Sequence, residues 1–368
     1  MKKKRILLIG DTPGWAFHRI IEFIMQRVKG FDFYYDFTVN NPRIDSETSS
    51  DFVSKGTVHL ENIRRKWPLQ NVIILRAIVY HSIKILHRLG LSKYDEHGFL
   101  RKVARDHRYD LVVYLDYYMD QDGDFGHIQS NKIIKGIFTE DFPPKGVLHN
   151  QDLTPESFCH KFLINSDALL IGAPSIANFY ANFYKSPIVF ANLSYDEVLF
   201  SPIKKTQNKS FVIGWTGNPD RDFKGFHTHI IPVINTLQAM GYPVELRTRF
   251  QGSLNALAAF WNGVDLALIA SEADAGPSMF IEASLCGVPS VSTRIGMPAF
   301  LIRDGENGLF CKRNVEDMVR IIKRLLDDPC LYNHLKSNIR EDYIEKLGIK
   351  AQKKRWEDLF NVVLDEKS

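Results

Sequence analysis

With 368 residues, 45% of them hydrophobic and 24% charged, the chain has the length of about two domains and the composition of a globular protein, which excludes a disordered or fibrous polymer. A formal net charge of +4, from 47 basic and 43 acidic residues, is too small and too dispersed to mark a nucleic-acid-binding protein. Cys159, Cys286, Cys311 and Cys330 stand far apart with no Cys-x-x-Cys spacing, so they read as reduced core thiols and not as disulfides or a zinc site.

The basic opening and the apolar run Ile6–Ile9 imitate a signal peptide, but Gly10-Asp11 ends the run well short of the ~18 apolar residues of a membrane span. The expectation is a buried strand over 5–9 in a cytoplasmic protein. Thr12 and Pro13 then predict a helix start, with Phe17, Ile20, Ile21, Ile24 and Val28 lining one helical face. Further strands are predicted over 31–39, 109–115, 132–139, 167–171 and 187–191, and helices over 69–89, 97–107, 155–165 and 174–184. The polar stretch 201–210 holds no core-forming run and reads as a linker between a domain over 1–200 and another over 211–345.

Past the linker the alternation restarts: strands over 211–215, 243–246, 265–270 and 289–292, and helices over 226–240, 254–261, 278–286 and 315–326. The last forty or so residues are helical and charged. Residues 346–368 end in a helix whose apolar stripe, Trp356, Leu359, Phe360 and Val363, suits packing either on its own domain or back toward the first domain. Strand–helix alternation of this kind predicts an α/β protein of two doubly wound parallel sheets, with ligand in a cleft at the carboxyl ends of the strands.

The sharpest signal is the segment Ser271 to Ala283. A strand, a loop containing Gly276 and Pro277, and a helix from Ser278 would aim the amides of Ser278, Met279 and Phe280 at a phosphate. Asp274 and Glu282 flank this cradle, and a carboxylate accepts two hydroxyl hydrogen bonds, as a ribose diol or sugar ring requires. The plainer alternative keeps Glu282 as a complement to its helix start and Asp274 as a solvated loop residue. Upstream, Gly214, Gly217 and Asn218 end a strand, and Arg221 and Lys224 follow just ahead of a helix, where cations would meet a pyrophosphate.

Lys224-Gly225, the paired acids Asp274 and Glu282, the run Glu282-Ala283-Ser284-Leu285-Cys286-Gly287-Val288-Pro289 and the turn Asp304-Gly305-Glu306-Asn307-Gly308-Leu309 occur in one order. The second half thereby resembles the nucleotide-sugar domain of the retaining family-four glycosyltransferases. This resemblance implies the GT-B fold, two Rossmann-like domains facing a central cleft. It also implies transfer from a UDP- or GDP-sugar to a saccharide or lipid-linked saccharide, in surface-polysaccharide or glycoconjugate synthesis. Lys224, Arg221, Asp274 and Glu282 would carry the reaction. Gly14, Gly217, Asn218, Gly276, Pro277, Ser278, Met279, Phe280 and Glu282 would hold the donor.

No metal or other cofactor is implied. On the acceptor side the resemblance points to Trp15 and, where relatives carry His-Asp, to Glu140 and Asp141. Two departures stand out: Asp274 is one methylene shorter than the usual glutamate, and Asn218 replaces an arginine. Replacing Glu282 by Ala is expected to abolish donor binding and leave the fold intact. A nucleotide-sugar epimerase and a non-catalytic carbohydrate-binding protein are the alternatives.

Two weaker features compete. Asp116, Asp120, Asp122 and Asp124 crowd one loop and include Asp-x-Asp spacings, which also occur by chance in solvated loops. The basic residues Arg64, Arg65 and Lys66 lead into a helix over 72–89 that could lie against an anionic membrane face or pack as an ordinary amphipathic helix.

Overall fold

The computed structural model of the chain describes residues 3–13, 16–38, 101–122, 125–144, 153–203, 209–250 and 253–364. The predicted helices over 69–89 and 72–89, and the basic run before them, lie outside the described residues. By its internal contacts the chain divides into two units: residues 1–136, 162–170 and 360–368 form one, and residues 137–161 and 171–359 the other.

The first sheet has six strands: β1 (Arg5–Gly10), β2 (Asp32–Phe37), β3 (Leu111–Tyr114), β4 (Ile133–Ile137), β5 (Ala168–Ile171) and β6 (Ile188–Phe190), in the order β2-β1-β3-β4-β5-β6. β1 pairs in parallel with β2 and β3, and β3 with β4. Ile6, Leu7, Leu8 and Ile9 are fully buried, as a strand covered on both faces requires. Helix α1 (Ala16–Arg27) starts later than Thr12 and Pro13 suggest, but it buries Ile20, Ile21 and Ile24 on the predicted face.

The segment expected to be helical over 97–107 forms no helix where it is described: Lys102 makes an isolated bridge and residues 105–106 a turn. Lys102 exchanges two backbone hydrogen bonds of 2.9 Å with Tyr35, because the edge strand β2 offers unpaired groups that a neighbouring segment satisfies. The helix predicted over 155–165 is α2 (Pro155–Phe162), whereas 174–184 winds only at Pro174–Ile176 and Ala177–Tyr180.

The second sheet has five strands: β7 (Phe211–Thr216), β8 (Val244–Arg249), β9 (Leu266–Ile269), β10 (Ser290–Ser292) and β11 (Leu309–Phe310), in the order β8-β7-β9-β10-β11. All its pairings are parallel. Helices α3 (Ile231–Ala239), α4 (Leu254–Asn262), α5 (Ser278–Leu285), α6 (Gly296–Leu301), α7 (Val315–Asp327), α8 (Pro329–Leu347) and α9 (Ile349–Leu364) connect and follow these strands. Side chains of Ser253, Asn314 and Asp328 cap α4, α7 and α8 by accepting an amide three residues on.

A shared device fixes strand starts in both sheets. An aspartate immediately before a strand accepts the amide of a residue at the start of the neighbouring strand. Asp110 takes Arg5 N, Asp167 takes Ile133 N and Asp265 takes Val212 N, each at 2.8 Å. These groups would otherwise lack a ladder partner.

The final helix buries its apolar stripe. Trp356, fully buried, donates its indole N–H to the Asn192 carbonyl at 2.9 Å in the second unit. Phe360 packs its ring 5.5 Å from Phe31 and 5.9 Å from Phe33 in the first. Cys159, Cys286 and Cys311 are buried, and burial pushes their thiols up to about 11, 12 and 12. Cys330, expected in the core, is exposed instead, next to Pro329 at the start of α8. Among the described residues no helix is long and apolar enough to cross a membrane.

Candidate active site

The strand order places the site. β7 is flanked by β8, the next strand in the chain, and by β9, reached after the chain returns across the sheet. The loops leaving β7 and β9 therefore diverge around one crevice at the carboxyl edge, where doubly wound sheets bind ligands. One of these loops carries Lys224 and the other Asp274.

The β7 loop closes in a tight 3-10 turn, Asp222–Lys224, followed by Gly225 at φ +71°. A Cβ at Gly225 would lie 2.8 Å from the Ala270 carbonyl, so the position combines left-handed backbone with close approach to the end of β9. The predicted helix 226–240 consequently begins as a π-helical turn, Phe226–Ile230, with Ile230 N donating to Gly225 O at 3.0 Å before α3 takes over. Lys224 projects from the turn onto Asp274 as an ion pair, with side chains 20% and 14% exposed. Its ammonium also lies 5.3 Å from the Phe223 ring centroid.

On the second loop Asp274 Oδ1 accepts from Gly276 N at 3.2 Å. The loop is pinned from below. Met297 N donates to Ala275 O at 2.8 Å, and Thr293 Oγ1 donates to Ser271 O at 2.7 Å. Gly296, at φ +38°, leaves no room for a Cβ, which would fall 2.1 Å from Ala275 O. α5 then opens at Ser278.

The cradle of three amides is corrected to two. Phe280 N donates to Pro277 O at 2.9 Å, leaving Ser278 and Met279 as the helix-opening amides without an intrahelical acceptor. The Met279 and Phe280 side chains are core residues, 5% and 0% exposed.

Glu282 sits elsewhere than the sequence suggested. It lies one turn into α5, 2% exposed, and its Oε2 accepts the Trp261 indole N–H of α4 at 2.8 Å. The two acids thus have separate partners, Asp274 an ammonium and Glu282 an indole. Removing the Glu282 side chain would orphan a buried donor, so an intact fold is no longer the expectation for Glu282→Ala.

The other candidates divide clearly. Arg221 is exposed at the start of the turn, and Asn218 Oδ1 accepts from Asp220 N at 2.9 Å. Gly217 donates its amide to Arg249 O at 3.2 Å. Glu140 accepts from Ser175 Oγ at 2.6 Å, and Asp141 N donates to Thr139 Oγ1 at 3.3 Å. Gly14 and Trp15 lie outside the described residues.

The turn from Asp304 to Leu309 is architectural. Fully buried Asn307 accepts from Arg303 N at 2.8 Å and donates to Leu301 O and to Asp342 of α8, while Arg303 grips the same aspartate at 2.8 Å and 3.1 Å.

In the aspartate-rich loop, Asp120 pairs with buried Lys135 at 2.6 Å. Asp124 and the Asp122 side chain lie outside the described residues. Among the described residues no three His, Cys, Asp or Glu side chains form a metal-ligand group. Asp116 follows β3 two residues past Tyr114, the partner of Ile9, and Asp11 follows β1 two residues past Ile9. The Asp116 carboxyl is pushed up to about 8, first by burial and then by the nearby Asp11.

Sequence reasoning missed one cation. Arg313, just before α7, donates from Nε to Ala270 O at 3.0 Å and from Nη2 to Phe223 O at 3.4 Å. It had no motif to announce it; only the fold brings it to the site.

Residues 236–342 match the family model described as "Glycosyl transferases group 1". The chain is 28% identical over 129 residues to the N-acetyl-alpha-D-glucosaminyl L-malate synthase of Bacillus anthracis, covering 34% of this chain and 33% of that enzyme. Among solved structures, the Anabaena HepE in complex with UDP-glucose superposes with a TM-score of 0.61 at 14% identity, over 97% of this chain and 99% of that one. The sucrose-phosphate synthase from Thermosynechococcus elongatus gives 0.66 at 13% identity, over 97% and 98%. The likeness to these structures is one of fold, the GT-B fold, and the strand orders described above agree with it. The chain has the GT-B fold, and its residues 236–342 are similar to the glycosyl transferases group 1 family.

Proposed function

We propose that the protein transfers a sugar, with retention of configuration, from a UDP- or GDP-sugar to a saccharide or lipid-linked saccharide acceptor. The observation that carries this reading is the juxtaposition of Lys224, Asp274 and the opening amides of α5 at the β7/β9 switch point. The same group of donors suits a diphosphate, whose charge grows as the glycosidic bond breaks. The UDP-glucose bound by the Anabaena structure supports a nucleotide sugar as donor.

In this reading Lys224 meets the diphosphate as a point charge, and the Ser278 and Met279 amides donate to its oxygens along the helix dipole. Asp274 holds the ammonium in place before the donor arrives and is free to accept sugar hydroxyls once the phosphate takes over that charge. Arg221, exposed on the same turn, adds a second cation. Glu282 sets α5 against α4 through Trp261 and thereby aims the amides. Glu140, Asp141 and Trp15 stand as acceptor-side residues, and no metal is required by this set of charges. Contact with an anionic membrane face belongs to the same proposal, through the basic segment 64–89.

Calorimetry with UDP, UDP-glucose and GDP-mannose in EDTA tests the reading. Binding of one nucleotide, lost in Lys224→Met, is the expected result. Equal affinity in Lys224→Met, or binding that requires a divalent ion, would overturn the assignment. A single donor-group deletion at such a site costs about 10²–10³ in rate.

A further inference from the structure

Three separate pieces of backbone meet at one guanidinium. Phe223 precedes Lys224 in the turn after β7, Ala270 follows β9, and Glu272 lies two residues before Asp274. Arg313 reaches the carbonyls of the first two, at 3.4 Å and 3.0 Å, and stands 3.5 Å from the Glu272 carboxylate. Glu272 N closes the arrangement by donating to Phe223 O at 2.8 Å.

The contacts differ in weight. Glu272 is 69% exposed, so its ion pair contributes little, whereas the Arg313 side chain is 29% exposed and its carbonyl partners belong to backbone that must be satisfied. A planar fork can serve two carbonyls on different segments at once, and an ammonium on a flexible stem cannot hold that geometry. His229, facing Gly225, lies against the same group. Burial, then the Arg313 charge, keeps its imidazole below the ordinary histidine range, so it adds no second cation there at neutral pH.

We infer that Arg313 is a positioning residue of the donor site, fixing the Phe223 and Ala270 carbonyls and so setting the Lys224 ammonium against Asp274. The inference rests on the donor reading above for its kinetic consequence, but the clasp itself is a property of the donor-free protein. Arg313 acts through the turn that bears Lys224, by way of the Phe223 carbonyl.

The test combines amide hydrogen exchange with a double-mutant cycle. In the donor-free protein, Arg313→Met is expected to accelerate exchange at 222–225 and 270–274 while leaving β7 and β9 protected. Unchanged exchange at those segments would overturn the clasp. With UDP-glucose or GDP-mannose as donor, Arg313→Met is expected to lower kcat/KM by about 10²-fold, the scale of a small misplacement of a catalytic group. Arg313→Lys should recover less than about tenfold of that loss, because an ammonium cannot bridge the Phe223 and Ala270 carbonyls as the planar fork does.

In a Lys224→Met background, Arg313→Met should have little further effect; an undiminished loss there would show that Arg313 does not act through the lysine. If Arg313→Met fails to fold, Arg313→Gln, which keeps a donor for one carbonyl, carries the same comparison. A wild-type protein with no nucleotide affinity would overturn the donor reading, and the exchange result would still decide the clasp.

Discussion

Glu282 shows how a residue can keep its place in a motif while the fold changes its expected surroundings. Its carboxylate lies between α4 and α5 and accepts the Trp261 N–H. Glu282→Ala should therefore destabilise the protein by about 2–4 kcal/mol, the sum of an orphaned buried donor and a cavity. Glu282→Gln retains an acceptor for the indole and should lose less than about 1.5 kcal/mol. Chemical denaturation of both variants separates the two outcomes; equal losses would mean that the charge, and not the indole bond, matters.

Asp116 makes a second prediction at this scale. Its folded pKa, about 8, lies above the ordinary 3.8, so the native state binds more protons than the unfolded chain between those values. Its contribution to stability is therefore full below pH 4 and is lost as pH rises toward 8. Asp116→Asn should flatten that decline and be more stable than the parent at pH 8 than at pH 5, as read by denaturation at the two values.

At the scale of elements, the Asn307 turn and α8 are tied together by buried hydrogen bonds. The side-chain amide bonds Leu301 O at 3.1 Å and Asp342 at 2.7 Å, both from a fully buried position. Asn307→Ala should cost about 2–4 kcal/mol, since one carboxylate bond and two buried backbone partners are lost together. Donor affinity measured calorimetrically should stay within about threefold, because the turn lies after the loops that bear Lys224 and Asp274. A large loss of affinity with unchanged stability would reverse this assignment.

Element boundaries were also where sequence reasoning erred. The segment expected to be helical over 97–107 is not helical where it is described, because Lys102 bridges the edge strand β2, a long-range opportunity that local periodicity does not encode. The short strand β11 and the helix α6 lacked enough residues to show a period, yet Gly296 in α6 sets the height of the Asp274 loop.

For the whole molecule, α9 is the element whose buried aromatic residues carry the most packing at the end of the chain. Phe360→Ala should lower stability by about 3–5 kcal/mol through the aromatic cluster with Phe31 and Phe33. Trp356→Phe should cost less, chiefly the hydrogen bond to the Asn192 carbonyl, about 1 kcal/mol plus a small cavity. Calorimetric melting of the two variants checks the order; a larger effect of Trp356→Phe would contradict it.

The sequence alone determined the alternation of strands and helices, the parallel sheets and the loops that bear Lys224 and Asp274, because apolar periodicity and glycine spacing are local properties of the chain. Tertiary structure decided which residues share the site. Strand order placed the β7 and β9 loops side by side, brought Arg313 beneath them from 43 residues beyond Ala270, and turned Glu282 toward Trp261. Hydrogen bonds between segments so distant in sequence depend on how sheets order and helices pack, and no local pattern carries that information.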